Sequence, residues 1–189
     1  MACFTNHTLK GIQTDCAPSL AGIKEAYFAY ADSVLVSAYT TGVSAQTIDN
    51  ITSASTGTDS KPFRKYEFNK QTGSLTSTLT KDETNGTRYY TNTATLQFTK
   101  MESKKHLEVE AMAAEHLVGI IADNNGKYWY LGYDSYLSTD EATAQSGQSF
   151  DDLNGYNLTL NAMSAYLPFE IKYSQFSSLI HEESQQTEG

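Results

Sequence analysis

The chain has 189 residues, enough for one domain with its own core, and a net charge of −9. Its acidic residues concentrate late: residues 1–100 carry nine Lys or Arg and eight Asp or Glu, whereas residues 101–189 carry four and 14. This excess of acidic residues argues against a protein that binds nucleic acid through its phosphates, since such binding needs clustered Lys and Arg. It is compatible with a surface past which nucleic acid slides without sticking.

The first 22 residues predict an irregular N-terminal arm. Gly11, Pro18 and Gly22 interrupt any periodic pattern, so we expect no independent element before position 23. The first ten residues lack the apolar core of a signal peptide. We therefore expect synthesis in a cytoplasm and no membrane partner.

From position 23 the sequence predicts a mainly β domain that extends to residue 173. Tyr is the commonest aromatic residue, with 13 copies, and branched and aromatic side chains suit a pleated, half-buried surface. Runs of such residues predict strands at Ile23–Tyr30, Val34–Tyr39, Thr47–Ser53, Leu117–Ala122, Lys127–Tyr133 and Leu153–Leu160. The Ser- and Thr-rich stretch 138–149 reads as a loop.

A long hairpin is predicted between Phe63 and Thr99. Phe63–Phe68 is a short aromatic strand, Ser74–Thr80 is a Thr-rich strand, and Thr87–Thr99 is a long return strand. The tip between the last two ends in Asn-Gly, the strongest short hairpin signal. Strands this long and this polar bury little by themselves, so they need another sheet or another subunit to cover them.

One α-helix is predicted at about residues 100–115. Thr99 and Glu102 fit a capping box, with Thr99 as the N-cap and the Glu102 side chain reaching back. We expect the helix to pack on the sheet through an apolar stripe formed by Leu107, Ala111 and Ala114, with Val109, Met112 and Ala113 beside it. Residues 174–189 read as a polar C-terminal tail that extends from the body.

The sequence offers no set of catalytic residues. Four His residues are scattered through different predicted elements, and no nucleophile, base and orienting group come together. Cys3, His7 and Cys16 could hold a metal, but their spacing matches no standard zinc pattern, and two reduced thiols are the simpler interpretation. We expect no enzymatic activity, no cofactor and no metal.

The stretch from Phe63 to about Phe169 resembles the tail tube (major tail) proteins of tailed bacteriophages, particularly those of Bacteroidetes phages. The resemblance rests on an ordered series of features rather than on one motif. The series comprises the hairpin from Gly73 to Tyr90 with its long return strand, the helix after Phe98-Thr-Lys100, the strand pair Leu117–Tyr133, and the segment Phe150–Leu160. Similar chains continue with Glu-rich sequence, whereas this chain has Asn161–Leu167.

The resemblance implies an antiparallel β-sandwich or barrel with one flanking α-helix and a long β-hairpin. It also implies a structural virion protein whose copies form stacked, six-membered rings in the phage tail. The implied partners are other copies of the chain, the tape-measure protein and passing DNA in the lumen, the tail terminator, and baseplate or hub proteins.

Two other functions stay open. One is the tube subunit of a contractile injection system, and the other is a virion decoration or receptor-binding β-sandwich. In the tube interpretation, the hairpin tip is the expected subunit interface, because it reaches away from the body. The interface residues are predicted to be Lys81, Asp82, Glu83, Thr84, Asn85 and Arg88.

Overall fold

The computed structural model describes residues 11, 12, 14, 16–41, 46–54, 60–69 and 71–181. Cys3 and His7 lie outside these ranges, as do residues 182–189 of the predicted tail. The described chain forms two β-sheets and two short helices, which confirms the mainly β prediction with a flanking helix.

Eight strands form sheet A, in the spatial order β12-β4-β1-β7-β8-β11-β3-β2. Neighbours run antiparallel except for two short parallel pairings, β11 with β3 and β12 with β4. The strands are β1 (Ile23–Tyr30), β2 (Val34–Thr40), β3 (Thr47–Ser53), β4 (Phe63–Glu67), β7 (Leu117–Asp123), β8 (Tyr128–Leu131), β11 (Phe169–Ile171) and β12 (Ile180–His181).

Four strands form sheet B, in the order β5-β6-β10-β9, and every neighbouring pair is antiparallel. They are β5 (Gly73–Asp82), β6 (Thr87–Thr99), β9 (Ser138–Gln145) and β10 (Gly155–Ser164). The helices are α1 (Ser103–Ala114) and α2 (Tyr173–Phe176), and short 3-10 turns occupy Ala31–Ser33 and Ser177–Leu179.

The central strands of sheet A are covered on both faces because their successive side chains enter two separate clusters. Tyr27 and Ala29 of β1 enter an inner cluster to which all eight strands of the sheet contribute, so the sheet curls around it. Ala26 and Phe28 point the opposite way, into an inter-sheet cluster shared with β6, β10 and α1. Burial on both faces explains why β7 is almost wholly apolar.

The predicted hairpin from Phe63 to Thr99 is wrong in its first strand. β5 pairs with β6 along its whole length, from Gly73 with Leu96 to Asp82 with Thr87. The Phe63–Glu67 strand instead joins sheet A, between β1 and β12. Phe63 is fully buried in the inner cluster, which explains the preference.

The flanking helix is confirmed, but its predicted start is wrong, and its predicted apolar face is only partly correct. Glu102, not Thr99, occupies the N-cap position, and no side chain caps the helix there. Lys100 has a positive φ of 65°, which keeps the preceding residues out of the helix. Leu107 is 70% exposed, whereas Met112 is buried in the inter-sheet cluster with Val109 packed beside it.

The polar-tail prediction is wrong for residues 174–181. Phe176 is fully buried in the inner cluster, with its ring 5.4 Å from that of Tyr27 and 6.3 Å from that of Phe63. Ile180 then pairs with Phe63 as β12 begins. Phe176 and Ile180 are buried in the inner cluster and Leu179 packs against it, so apolar contacts fix this segment despite its polar residues.

Candidate assembly interface

The structure brings all six predicted interface residues together at the free end of the β5–β6 hairpin. Lys81 and Asp82 end β5, Glu83 to Gly86 form the turn, and Arg88 is the second residue of β6. Gly86 has a φ of +68°, the left-handed conformation that an Asn-Gly turn requires. The predicted turn is therefore confirmed.

Asp82 holds this turn in shape. Its Oδ1 accepts hydrogen bonds from the backbone N–H of Thr84 (2.8 Å) and of Asn85 (3.3 Å), and its Oδ2 accepts one from Asn85 Nδ2 (2.6 Å). The backbone N–H groups of Asn85 and Thr84, followed by the Asn85 side chain, lower the pKa of the Asp82 carboxyl. The tip thus has a defined conformation although it is exposed to solvent.

Two cationic side chains lie opposite each other in the hairpin, directly next to the turn. Lys81 lies directly opposite Arg88 in the β-ladder, so both side chains point to the same face of the sheet. Lys81 Nζ also contacts the Glu83 carboxylate at 2.5 Å. Like charges at directly opposed positions destabilise a strand pair, and a nearby anion relieves that repulsion.

The two faces of sheet B differ in chemistry. The face toward sheet A and α1 is apolar, with Ala94, Leu96, Leu158 and Leu160 all fully buried. On the opposite face, β5, β6 and β10 carry neutral polar side chains and one apolar side chain, that of Met163. This region extends from the Thr80–Tyr89 pair near the hairpin tip to the Gln97–Asn157 pair at the other end of the sheet. Its residues are Ser74, Thr76, Thr78, Thr80, Tyr89, Thr91, Thr93, Thr95, Gln97, Asn157, Thr159, Asn161 and Met163.

Sheet B has two open edges, and sequence reasoning missed one of them. β5 and β9 are its outer strands, and neither pairs with a further strand in the described part of the chain. The stretch 138–149 was predicted as a loop, which is wrong because Ser138–Gln145 pairs with β10. Its inward positions Ala142 and Ala144 are small, so the alternation that signals a strand is weak.

The His residues of the described chain do not gather in one place. His106 lies on α1, where its Nε2 is 3.5 Å from Glu110 Oε1, and its ring meets that of Tyr156 edge to face. His116 stacks on Tyr136, and His181 ends β12. Across the described ranges, no three His, Cys, Asp or Glu side chains cluster as metal ligands would.

The aromatic run of β8 divides between two faces, as its alternation predicts. Tyr130 is buried in the inner cluster with Tyr128 packed beside it, whereas Trp129 points away and donates a hydrogen bond from Nε1 to Asp123 Oδ2 at 3.3 Å. These residues therefore do not form one flat sugar-binding surface. Of the helices in the described ranges, none has the length and apolar character needed to cross a membrane.

Comparisons with known proteins give no relative on which an assignment could rest. No protein-family model matches the chain, and no curated protein and no solved structure matches it either. A function proposed for this chain therefore rests on its own residues and geometry.

Proposed function

We propose that this chain is a structural protein that assembles into stacked, six-membered rings and forms the tail tube of a tailed bacteriophage. The observation that carries the proposal is sheet B, a four-stranded antiparallel sheet whose two outer strands pair with no further strand in the described part of the chain. One edge strand, β5, has ten residues, and the other, β9, has eight. Long open edges recruit further strands unless a partner covers them.

The strand directions of sheet B favour pairing between copies. Strand direction alternates from β5 through β6 and β10 to β9, so β5 and β9 run in opposite directions. When β9 of one copy meets β5 of the next, the alternation continues without interruption. The same contact repeats around a ring, and closure of the ring leaves no open edge in sheet B.

The polar face of sheet B suits the wall of a channel. The apolar face is already covered by sheet A and α1, so in such a ring the polar face is the one free to point inward. Its Thr, Ser, Asn and Gln side chains offer no cations to hold the phosphates of DNA. A hydroxyl-rich wall whose charged positions, Asp82 and Glu141, are carboxylates lets the tape-measure protein and then DNA pass without tight binding.

Electron microscopy of the purified chain over a range of concentrations tests the proposal. We expect rings at low concentration and tubes with a constant axial repeat at high concentration. Dispersed particles at all concentrations would exclude a tube and favour a decoration or receptor-binding protein.

Hydrogen exchange locates the contact within the ring. The outward backbone N–H groups of β5 and β9 should exchange rapidly in the monomer and slowly in the assembly. Strand β2, the open edge of sheet A, is the internal control, because the proposal gives it no partner. Protection confined to β2 would contradict the pairing of β5 with β9.

A further inference from the structure

The two ends of sheet B carry surfaces of different chemistry. Strand β6 runs 13 residues from Thr87 to Thr99, so the two ends are separated by about 40 Å at the usual rise of a strand. The hairpin tip lies at the Thr87 end. The N-terminal half of α1 and the loop that precedes β10 lie at the Thr99 end, where the Lys100 N–H bonds to the Asn154 carbonyl.

At the tip, a cationic and apolar surface extends beyond the rest of sheet B. β10 ends at Ser164, opposite Tyr90, so no third strand supports the hairpin beyond that position. On the face toward sheet A, Lys81 opposes Arg88, and Leu79, which is 48% exposed, opposes Tyr90. This surface, formed by Leu79, Lys81, Arg88 and Tyr90, is called the tip face below.

At the opposite end, α1 borders an open groove of about 410 Å³. Its lining contains two carboxylates and no Lys or Arg, and exposed apolar side chains contribute to its wall. The lining residues are Met101, Glu102, Ser103, His106, Leu107, Glu110 and Tyr156. Glu102 also contacts Lys100 and Lys105, whereas Glu110 lies 3.5 Å from the His106 ring.

The two surfaces are complementary in charge and in apolar content. The tip face offers Arg88 and Leu79, whereas its second cation, Lys81, already contacts Glu83. The groove offers Glu110 beside Met101 and Leu107, which are 38% and 70% exposed, whereas Glu102 already contacts two lysines. The two surfaces cannot meet within one chain because the length of sheet B separates them. Stacking two copies along the strand direction brings the end of sheet B that carries the tip face next to the end that carries the groove.

We infer that the tip face of one copy docks into the α1 groove of a copy in the adjacent ring. In this arrangement Leu79 packs on Leu107, and Arg88 meets Glu110. The contact is head-to-tail, so it repeats at each ring and extends the tube without limit. The inference rests on the proposed function and adds to it the surface that receives the hairpin.

Reciprocal charge reversal tests the contact in the full chain. Arg88→Glu and Glu110→Arg should each permit rings but raise the concentration needed for tube growth by about tenfold or more. The double variant should return that concentration toward the wild-type value, because the pair is restored in the opposite sense. Glu115→Arg, an exposed reversal at the end of the same helix, is the matched control and should leave growth unchanged.

A cysteine pair gives an independent readout. In a background with Cys3→Ser and Cys16→Ser, oxidation of tubes that carry Leu79→Cys and Leu107→Cys should give a ladder of covalently linked chains. Leu79→Cys with Leu35→Cys, on an exposed strand of sheet A, should give none. No ladder from wild-type-like tubes, or no rescue by the double reversal, would overturn the docking inference while leaving the tube proposal standing. Absence of rings and tubes from the wild-type chain would overturn the proposed function itself.

Discussion

Ser77 Oγ donates a hydrogen bond of 2.7 Å to Asn92 Oδ1 across the β5–β6 pair. Asn92 is only 2% exposed and lies two residues from the fully buried Ala94. A buried amide that loses its hydrogen-bond partner is left with the full free-energy cost of its desolvation. This contact therefore links the polar hairpin to the apolar face of sheet B at the point where the inter-sheet cluster ends.

Ser77→Ala should lower the free energy of unfolding by about 1–3 kcal/mol, since it leaves the Asn92 carbonyl oxygen without this donor. Thr76→Ala is the matched control on the exposed face of the same strand, and it should change stability by less than about 0.5 kcal/mol. Urea denaturation measures both. Equal effects of the two variants would mean that the buried contact has no special role.

Phe176→Ala should destabilise the domain by about 3–5 kcal/mol, because it removes a fully buried ring from the inner cluster. Tyr173→Ala on the same short helix removes a ring that is 48% exposed, and its cost should be nearer 1 kcal/mol. Thermal or urea unfolding separates them. A negligible effect of Phe176→Ala would show that residues 173–181 are not an integral part of the fold.

Deleting Asp82–Asn85 and closing the hairpin with one glycine should leave the monomer folded, because the tip buries little surface. Tube formation should be weakened or abolished, since the deletion shortens the hairpin that we propose docks on the adjacent ring. Thr84→Ala is the control, because it keeps the loop length and the backbone hydrogen bond to Asp82. If the shortened chain forms tubes as readily as wild type, the tip has no role in assembly.

Stability should fall as the pH rises above about 10, the ordinary pKa of a tyrosine hydroxyl. Burial raises the pKa of Tyr130, and burial together with the hydrogen bond to Glu108 raises that of Tyr66. A group whose pKa is raised by folding stabilises the native state fully below its unfolded pKa, and that contribution is lost at higher pH.

Urea denaturation at several pH values between 8 and 11 measures this dependence. Tyr130→Phe should show a shallower loss of stability above pH 10, because it removes one of the shifted groups. Tyr136→Phe is the control, since Tyr136 is 50% exposed. An identical pH slope in wild type and Tyr130→Phe would contradict the assignment.

Several features of the fold follow from neighbouring residues. The strand Ile23–Tyr30 has the bounds that its residues predict, and the turn at Asp123–Gly126 lies between the predicted strands Leu117–Ala122 and Lys127–Tyr133. The tip of the long hairpin is likewise where Asn-Gly places it. Each of these depends on alternation or turn chemistry within a few residues, and such preferences act before any tertiary contact forms.

Other features depend on residues far apart in the chain. β4 immediately precedes the hairpin in the sequence, yet it joins sheet A because Phe63 is buried in the inner cluster. Phe176 fixes a segment that is otherwise polar, and β9 becomes a strand only because β10 lies beside it. No local pattern contains these partners, so no local pattern could predict the result.

The sequence by itself determined that the fold is mainly β, where most of its strands and its tight turns form, and that the hairpin ends in an exposed polar tip. Only the tertiary structure decided which strands are edges, which face of sheet B stays polar, and that the tip face and the α1 groove lie at opposite ends of that sheet. The physical reason is that strand order is fixed by pairings such as Leu96 with Leu158, which form only when distant segments bury their apolar side chains together.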